Sequence, residues 1–342
     1  MTAAIVTFAD ALAAAKGTSA RVSILLGNGF SQALHPEFGY GRLRDVAQMD
    51  QNLTVTQDKL FEHAASDDFE TVIQHLEQSA RLIQLYNPTD TKLSDALLAD
   101  AHVVKKGLVE ALASVHPASA RSVDDRRYVA VRSFLSSFTN IFTLNYDLLL
   151  YWAINQDELH PQVAKADGFR RPDGVLTWRY PGSEQDQTVF FLHGAVHLYT
   201  DDHEVRKLSG SVGTIVQQLR SNLSEGRYPL VVTEGSRANK QTRIAQNPYL
   251  AYCHRRLGRL GGALFIHGVA LSDNDQHISD AISEEPGHIE ALYVGLHGPR
   301  SAARNKVQLA AEELAETCAA KSGRTTSLTF YHSESASVWA AG

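Results

Sequence analysis

Cysteine is nearly absent. Only Cys253 and Cys318 occur in 342 residues, which excludes a disulfide framework and every four-cysteine zinc ribbon or knuckle, and points to a reducing, cytoplasmic setting. An excess of basic charge is missing too. With 32 Lys+Arg against 38 Asp+Glu the formal net charge is −6, and a pI near 6.2 argues against a protein that lives off nucleic-acid phosphates. Long apolar runs are absent: Leu148–Ile154 and Gly261–Phe265 fall far short of the roughly 20 residues that cross a bilayer, so no membrane partner is expected. The N-terminal stretch lacks a basic n-region and is interrupted by Asp10, so it reads as a first helix ended by Gly17 rather than a signal peptide. There is no G-x-x-x-x-G-K-[ST] and no G-x-S-x-G, and Asp273-Asn274-Asp275 lacks the alternation and glycine of a calcium loop.

What is there can build a core: 44% of residues are hydrophobic and only 20% charged, which excludes a disordered linker. Short apolar runs at Val22–Leu26, Ile141–Leu144, Val189–Leu192, Leu230–Thr233, Leu264–Ile266, Leu292–Val294 and Leu328–Tyr331 read as buried strands. Between them lie helical patterns. Phe69, Val72, Ile73, Leu76, Ala80 and Ile83 recur at helical spacing behind an Asp67-x-x-Glu70 capping box, and further helices are expected near 93–114, 124–138, 147–155, 240–257, 275–284 and 300–320. Strands alternating with helices predict an open, mostly parallel α/β sheet. Residues 40–138 hold almost no strand signal and read as a helical insertion between the first and second strands of a single domain, 1–342. Residues 156–187 and 200–228 read as loops or smaller excursions.

Ligands of open parallel sheets bind outside the carboxyl ends of the strands, and the strand-end residues here form a set. After the first strand comes Gly27-Asn28-Gly29-Phe30-Ser31, after the second Thr143-Leu144-Asn145-Tyr146-Asp147, and after the third Leu192-His193-Gly194. The fourth gives Thr233-Glu234-Gly235, the fifth Gly268 with Leu271-Ser272-Asp273-Asn274-Asp275. Two glycines let a backbone approach an anion whose charge its N–H groups would cradle, although Gln32 stands where a full G-x-G-x-x-G has its last glycine; an ordinary strand-to-helix turn reads equally well. Asp147 has the position of a helix cap, whereas Asn145, at the strand tip, is placed to bond a ribose hydroxyl or hold a water. His193 is either structural, as one of fifteen histidines, or a general base with an ordinary pKa of about 6.5. The His193-x-x-x-His197 spacing is not a metalloprotease motif, since Gly194 replaces the required Glu, and no metal is expected. Lys240 and Arg243, three apart on one helical face, read as a phosphate contact or a solvated face.

The ordered set from Gly27 to Asp275 resembles the sirtuin-like NAD-binding family over about residues 27 to 295, and more narrowly its zinc-free bacterial branch, whose asparagine motif reads T-x-N-Y-D. The resemblance implies a Rossmann-like sheet and NAD as substrate. It puts pyrophosphate contacts on Gly27, Gly29 and Ser31, with Asn28 and Phe30 in the same turn narrowing the mouth. It puts the nicotinamide ribose between Asn145 and His193, with Asp147 toward the nicotinamide, and it carries Gly268, Ser272 and Asp273 into the dinucleotide site. Lacking the four cysteines, the chain departs from the protein-deacylating members. The zinc-free relatives are often NAD glycohydrolases, many of them antiphage effectors that deplete NAD. The expectation is therefore NAD hydrolysis at the nicotinamide–ribose bond, against a non-catalytic sensor of NAD or an ADP-ribose-type nucleotide and, behind both, a deacylase. A homo-oligomer or a defence-system partner stays open. The segment Val232–Ser236 through Tyr249 fits no motif of that family.

Overall fold

A computed structural model describes every residue except 1–4, 39, 66–68, 118, 172–173, 202, 210–213, 226, 228, 233–236, 285 and 341–342. Eleven strands are present among the described residues: β1 (Val22–Leu26), β2 (Asn140–Thr143), β3 (Phe169–Arg170), β4 (Leu176–Trp178), β5 (Val189–Phe191), β6 (Gly194–Asp201), β7 (Glu204–Lys207), β8 (Pro229–Val231), β9 (Gly261–His267), β10 (His288–Leu296) and β11 (Ser327–His332). The helices are α1 (Phe8–Thr18), α2 (Asn28–Gln32), α3 (Tyr40–Val46), α4 (Gln57–Ala64), α5 (Phe69–Tyr86), α6 (Lys92–Val115), α7 (Asp125–Leu135), α8 (Leu149–Ile154), α9 (Ile215–Ser224), α10 (Arg237–Gln246), α11 (Pro248–Gly258), α12 (Gln276–Ile282) and α13 (Ala302–Ser322).

Six strands form a parallel sheet in the order β11-β10-β9-β1-β2-β5. All five residues of β1 are buried, as an apolar strand covered on both faces must be. Counted along the chain, this order is 3-2-1-4-5-6: the chain runs outward from β1 to β5, then returns to the other flank of β1. That reversal opens a crevice between the carboxyl ends of β1 and β9. On one face, Phe8 of α1 and Phe134 of α7 lie with ring centroids 5.1 Å apart, and Phe8 sits edge-on to Phe265 of β9 at 5.8 Å. The exposed edge of β5 is closed from the side, where the Phe191 N–H donates to the Tyr249 hydroxyl of α11. Between β1 and β2 the described residues are helical or irregular. No helix among them is long and apolar enough to cross a membrane.

Several expectations change. The Leu230 run does not join the parallel sheet; as β8 it pairs antiparallel with β6 in a second sheet ordered β3-β4-β7-β6-β8. Segments 156–187 and 200–228, read as loops or smaller excursions, supply β3, β4 and β7. These strands have two to four residues, too few for alternation to be visible in sequence. The expected helix 240–257 is two helices, because Asn247 caps the second through Tyr249 N and Leu250 N with Pro248 in its first turn. Helix α1 runs one residue past Gly17, to Thr18. Asp67 of the expected capping box and Thr233-Glu234-Gly235 lie outside the described residues.

Candidate functional site

A cavity of about 540 Å³ opens along the carboxyl edge of the parallel sheet, within the size range of small-molecule sites. Each parallel strand delivers a residue to it: Gly27 after β1, Asn145 after β2, His193 after β5, Gly268 after β9, His297 after β10 and Ser333 after β11. Its apolar wall comes from Phe38, just before the helical insertion, and from Leu43 and Leu108 within it.

The floor is the contact of two turns. An added Cβ at Gly27 would lie 2.5 Å from the Gly268 carbonyl oxygen, one at Gly29 2.7 Å from Gly268 Cα, and Gly268 itself has φ +68°. The glycines are thus needed for backbone-to-backbone packing. Three N–H groups of the turn are also spent within the protein: Gly27 N–H donates to the His267 carbonyl at 3.0 Å, Gly29 N–H to that of Gly268 at 3.0 Å, and Phe30 N–H to that of Gly27 at 2.9 Å.

Asn145 and His193 are brought together. Thr143 of β2 pairs with Phe191 of β5, and each functional residue stands two positions beyond its strand's last paired residue, on neighbouring strand tips. The Asn145 carboxamide has its orientation imposed, since Nδ2 donates to the Gly27 carbonyl at 3.0 Å and to Ser31 Oγ at 2.8 Å; a carbonyl can only accept. Its Oδ1 bonds no protein donor among the described residues and belongs to the cavity lining. Ser31 Oγ in turn donates to Asp147 Oδ2 at 2.5 Å, and Asp147 Oδ1 accepts the Leu149 N–H at 2.8 Å. Asp147, one residue before the N-cap Leu148, therefore holds the first N–H of α8 and also fixes Ser31. Burial pushes its carboxyl above the usual range, opposed in part by His116 and the Ser31 bond.

His193 is 2% exposed, and its pKa lies well below the ordinary value rather than near it: burial disfavours the charged ring, and His277, Lys240 and His254 oppose added charge. Its Nε2 meets His277 Nε2 at 2.8 Å, and the two rings stack with centroids 5.0 Å apart. His254 also stacks on His277, with centroids 5.7 Å apart, and bonds the Leu192 carbonyl through Nε2 at 3.1 Å. With Nε2 committed to His277, Nδ1 is the nitrogen left to the cavity. Asp275 Oδ1 is 4.0 Å from His193 Nε2 and 3.5 Å from Lys240 Nζ. Ligand atoms of His193, Asp275 and His277 lie within 4.8 Å of one another, close enough to hold a divalent ion, but such an ion would share Asp275 with the Lys240 ammonium. His197 takes no part: fully buried, it stacks on Tyr151 at 4.5 Å.

Other expected residues distribute unevenly. Asn28 and Ser272 line the cavity, with Gly27, Gly29 and Gly268. Phe30 and Ser31 have no exposed surface and cannot touch a ligand. Phe30 packs on Trp339, whose indole N–H donates to its carbonyl at 2.9 Å. Asp273 is not among the residues that line the cavity. Lys240 is neither a phosphate contact nor a solvated face, being wholly buried against Asp275, while Arg243 is exposed. Sequence reasoning missed His277, Arg304 and Ser333. The only available signal for His277 was its place two residues past the Asp275 strand-end motif.

None of the curated proteins compared matches the chain. One family model does, over residues 24–339, from β1 to the Trp339 that packs on Phe30. The chain belongs to the family described as domain of unknown function DUF4917.

Proposed function

We propose that this protein hydrolyses an NAD-type dinucleotide at the nicotinamide–ribose bond, on a Rossmann-like sheet. The observation that carries the reading is the juxtaposition of Asn145 and His193 on the adjacent tips of β2 and β5, in one cavity that extends over the reversal point between β1 and β9. The motifs' resemblance to zinc-free sirtuin-like hydrolases supports the same chemistry.

Cleavage passes through an oxocarbenium-like centre at the anomeric carbon. The C–N bond breaks with its electron pair moving to the nicotinamide nitrogen, which is cationic beforehand and needs no acid. Water oxygen bonds to that carbon, and its proton goes to His193 Nδ1. For Nδ1 to hold a lone pair, His193 carries its proton on Nε2 and donates it to His277, so His277 fixes both tautomer and ring orientation. Asp275, 4.0 Å away, offsets the charge that forms. Asn145 Oδ1 accepts from the water or a ribose hydroxyl, in an orientation held by Gly27 and Ser31. The apolar wall of Phe38, Leu43 and Leu108 limits competing bulk water.

A binding-only sensor is the second reading. It is favoured by the low basicity of His193, because a weaker base removes the proton with less driving force. Incubating purified protein with NAD and NADP and following free nicotinamide separates the two. Release supports hydrolysis; measurable binding without release at high protein concentration overturns it in favour of the sensor.

A further inference from the structure

The far lobe of the cavity contains a feature that the hydrolytic reading does not use. Arg304 is the one lysine or arginine side chain among the described residues that line the cavity. It is 8% exposed. Its Nη1 donates to the Gly298 carbonyl, its Nε bonds nothing, and it forms no ion pair with a carboxylate among the described residues. A buried cation without a counter-charge is costly, and a cavity beside it is where the missing charge can enter. Arg304 stands in the first turn of α13, a helix of 21 residues. There Ser301 Oγ accepts the Arg304 N–H and the Ser301 carbonyl accepts that of Asn305. The N–H groups of Ala302 and Ala303 have no intrahelical acceptor, and the positive end of the helix dipole adds to them. Ser333 Oγ, also on the cavity wall, is buried without a partner.

We propose that this lobe is a phosphoryl-binding site, and that the substrate class is a dinucleotide carrying a phosphomonoester on the ribose far from the nicotinamide. This rests on the hydrolytic reading for the place of the nicotinamide end. From β2, which carries Asn145, to β10, which leads into α13, there are three strand spacings, about 14 Å at ~4.8 Å each. The diphosphate begins one sugar ring from the scissile bond and is too near; a phosphate on the second ribose lies beyond it. In the glycine turn the Gly27 and Gly29 N–H groups are already bonded, and no cationic side chain among the described residues stands there. Glu334, the acid of this rim, is held by the Gly298 N–H and by His297 at 3.0 Å.

The test compares kcat/KM for NADP and NAD, together with binding of 2′,5′-ADP and 5′-AMP, in wild type, Arg304→Met, Arg304→Lys and Ser333→Ala. Wild type should favour the phosphorylated member of each pair by about tenfold to a hundredfold, the worth of a charge-assisted contact. Arg304→Met should bring both ratios toward one, Arg304→Lys should retain part of them, and Ser333→Ala should lower them modestly with the fold intact. Wild-type ratios near one overturn the proposal. So does an equal loss for both members of a pair, which would assign Arg304 to the shared diphosphate or to structure. If Arg304→Met does not fold, an unchanged ratio in both Arg304→Lys and Ser333→Ala overturns it. The 2′,5′-ADP arm needs no turnover, so it still scores this site if no nicotinamide is released.

Discussion

Gly29→Ala sets two physical effects against each other at the floor of the cavity. Gly29 lies in α2, where alanine is favoured over glycine by about 1 kcal/mol on helix propensity. The new Cβ would stand 2.7 Å from Gly268 Cα and 3.3 Å from the Gly268 carbonyl oxygen, whereas carbon atoms pack at about 3.5–4.0 Å. Both neighbours are backbone, so one turn must retreat by roughly 0.8 Å to restore that contact. Overpacking of this kind costs about 1–3 kcal/mol. The retreat also stretches the 3.0 Å bond from Gly29 N–H to Gly268, leaving a donor that costs about 1–3 kcal/mol if unmet. Sterics win, with a net loss of about 1–5 kcal/mol. Gly17→Ala is the matched control: it lies in α1 with nothing within 4 Å of the added carbon, and should gain up to about 1 kcal/mol. Urea unfolding of the two variants beside wild type reads both values. A Gly29→Ala protein as stable as wild type, with an unchanged m-value, would refute the account of the turn-on-turn contact.

Other outcomes follow from the same geometry. His193→Ala should keep the fold, by circular dichroism, and lose about 10²- to 10⁴-fold in the rate of nicotinamide release. Asn145→Ala should lose release as well, since the carboxamide oxygen goes with it; full activity in either variant removes that residue from the mechanism. Ser31→Ala takes away a bond to Asn145 and one to Asp147 without touching the cavity, so it should lower kcat with little effect on KM, and Ser31→Thr should rescue only where the added methyl fits. Because burial holds His193 well below its ordinary pKa, release should be flat with pH through neutrality and fall only in acid, which a pH–rate profile measures. Stability has the same sign. His193, His197 and His267 are buried with depressed pKa values, about 4 for His267, so the unfolded chain binds more protons below about 6.5. Stability present above that pH should fall as the pH drops through this range, by ~1.2 kcal/mol between pH 7 and 5.5 from His267 alone, with His193 and His197 adding in the same direction. Equal urea midpoints at those two pH values would count against neutral burial of the three rings.

Six of the seven apolar runs read from the sequence are strands of the parallel sheet, because a strand buried on both faces, as β1 is, must be continuously apolar and that signature is local. The Leu230 run shares the signature and went to the other sheet, since nothing in three apolar residues states which edge they will meet. The tips that carry Asn145 and His193 were legible as residues following strands. The bonding that defines them was not: Asn145 is held by Gly27 and Ser31, more than 110 positions away, and His193 by His277, 84 positions away. The glycine turn was legible as tight and misleading as to why, for its close neighbour is the Gly268 backbone.

Composition and periodicity by themselves determined the α/β class, the apolar runs that became buried strands, and the exclusion of cysteine-built sites; these depend on neighbours within a turn or two of chain. Only the tertiary structure decided that α13 presents Arg304 to the same cavity as Asn145, that Lys240 is buried against Asp275, and that His193 is a depressed base. Each of these is a matter of desolvation and of charges facing one another, and dielectric and distance are set by how the elements pack rather than by their order in the chain.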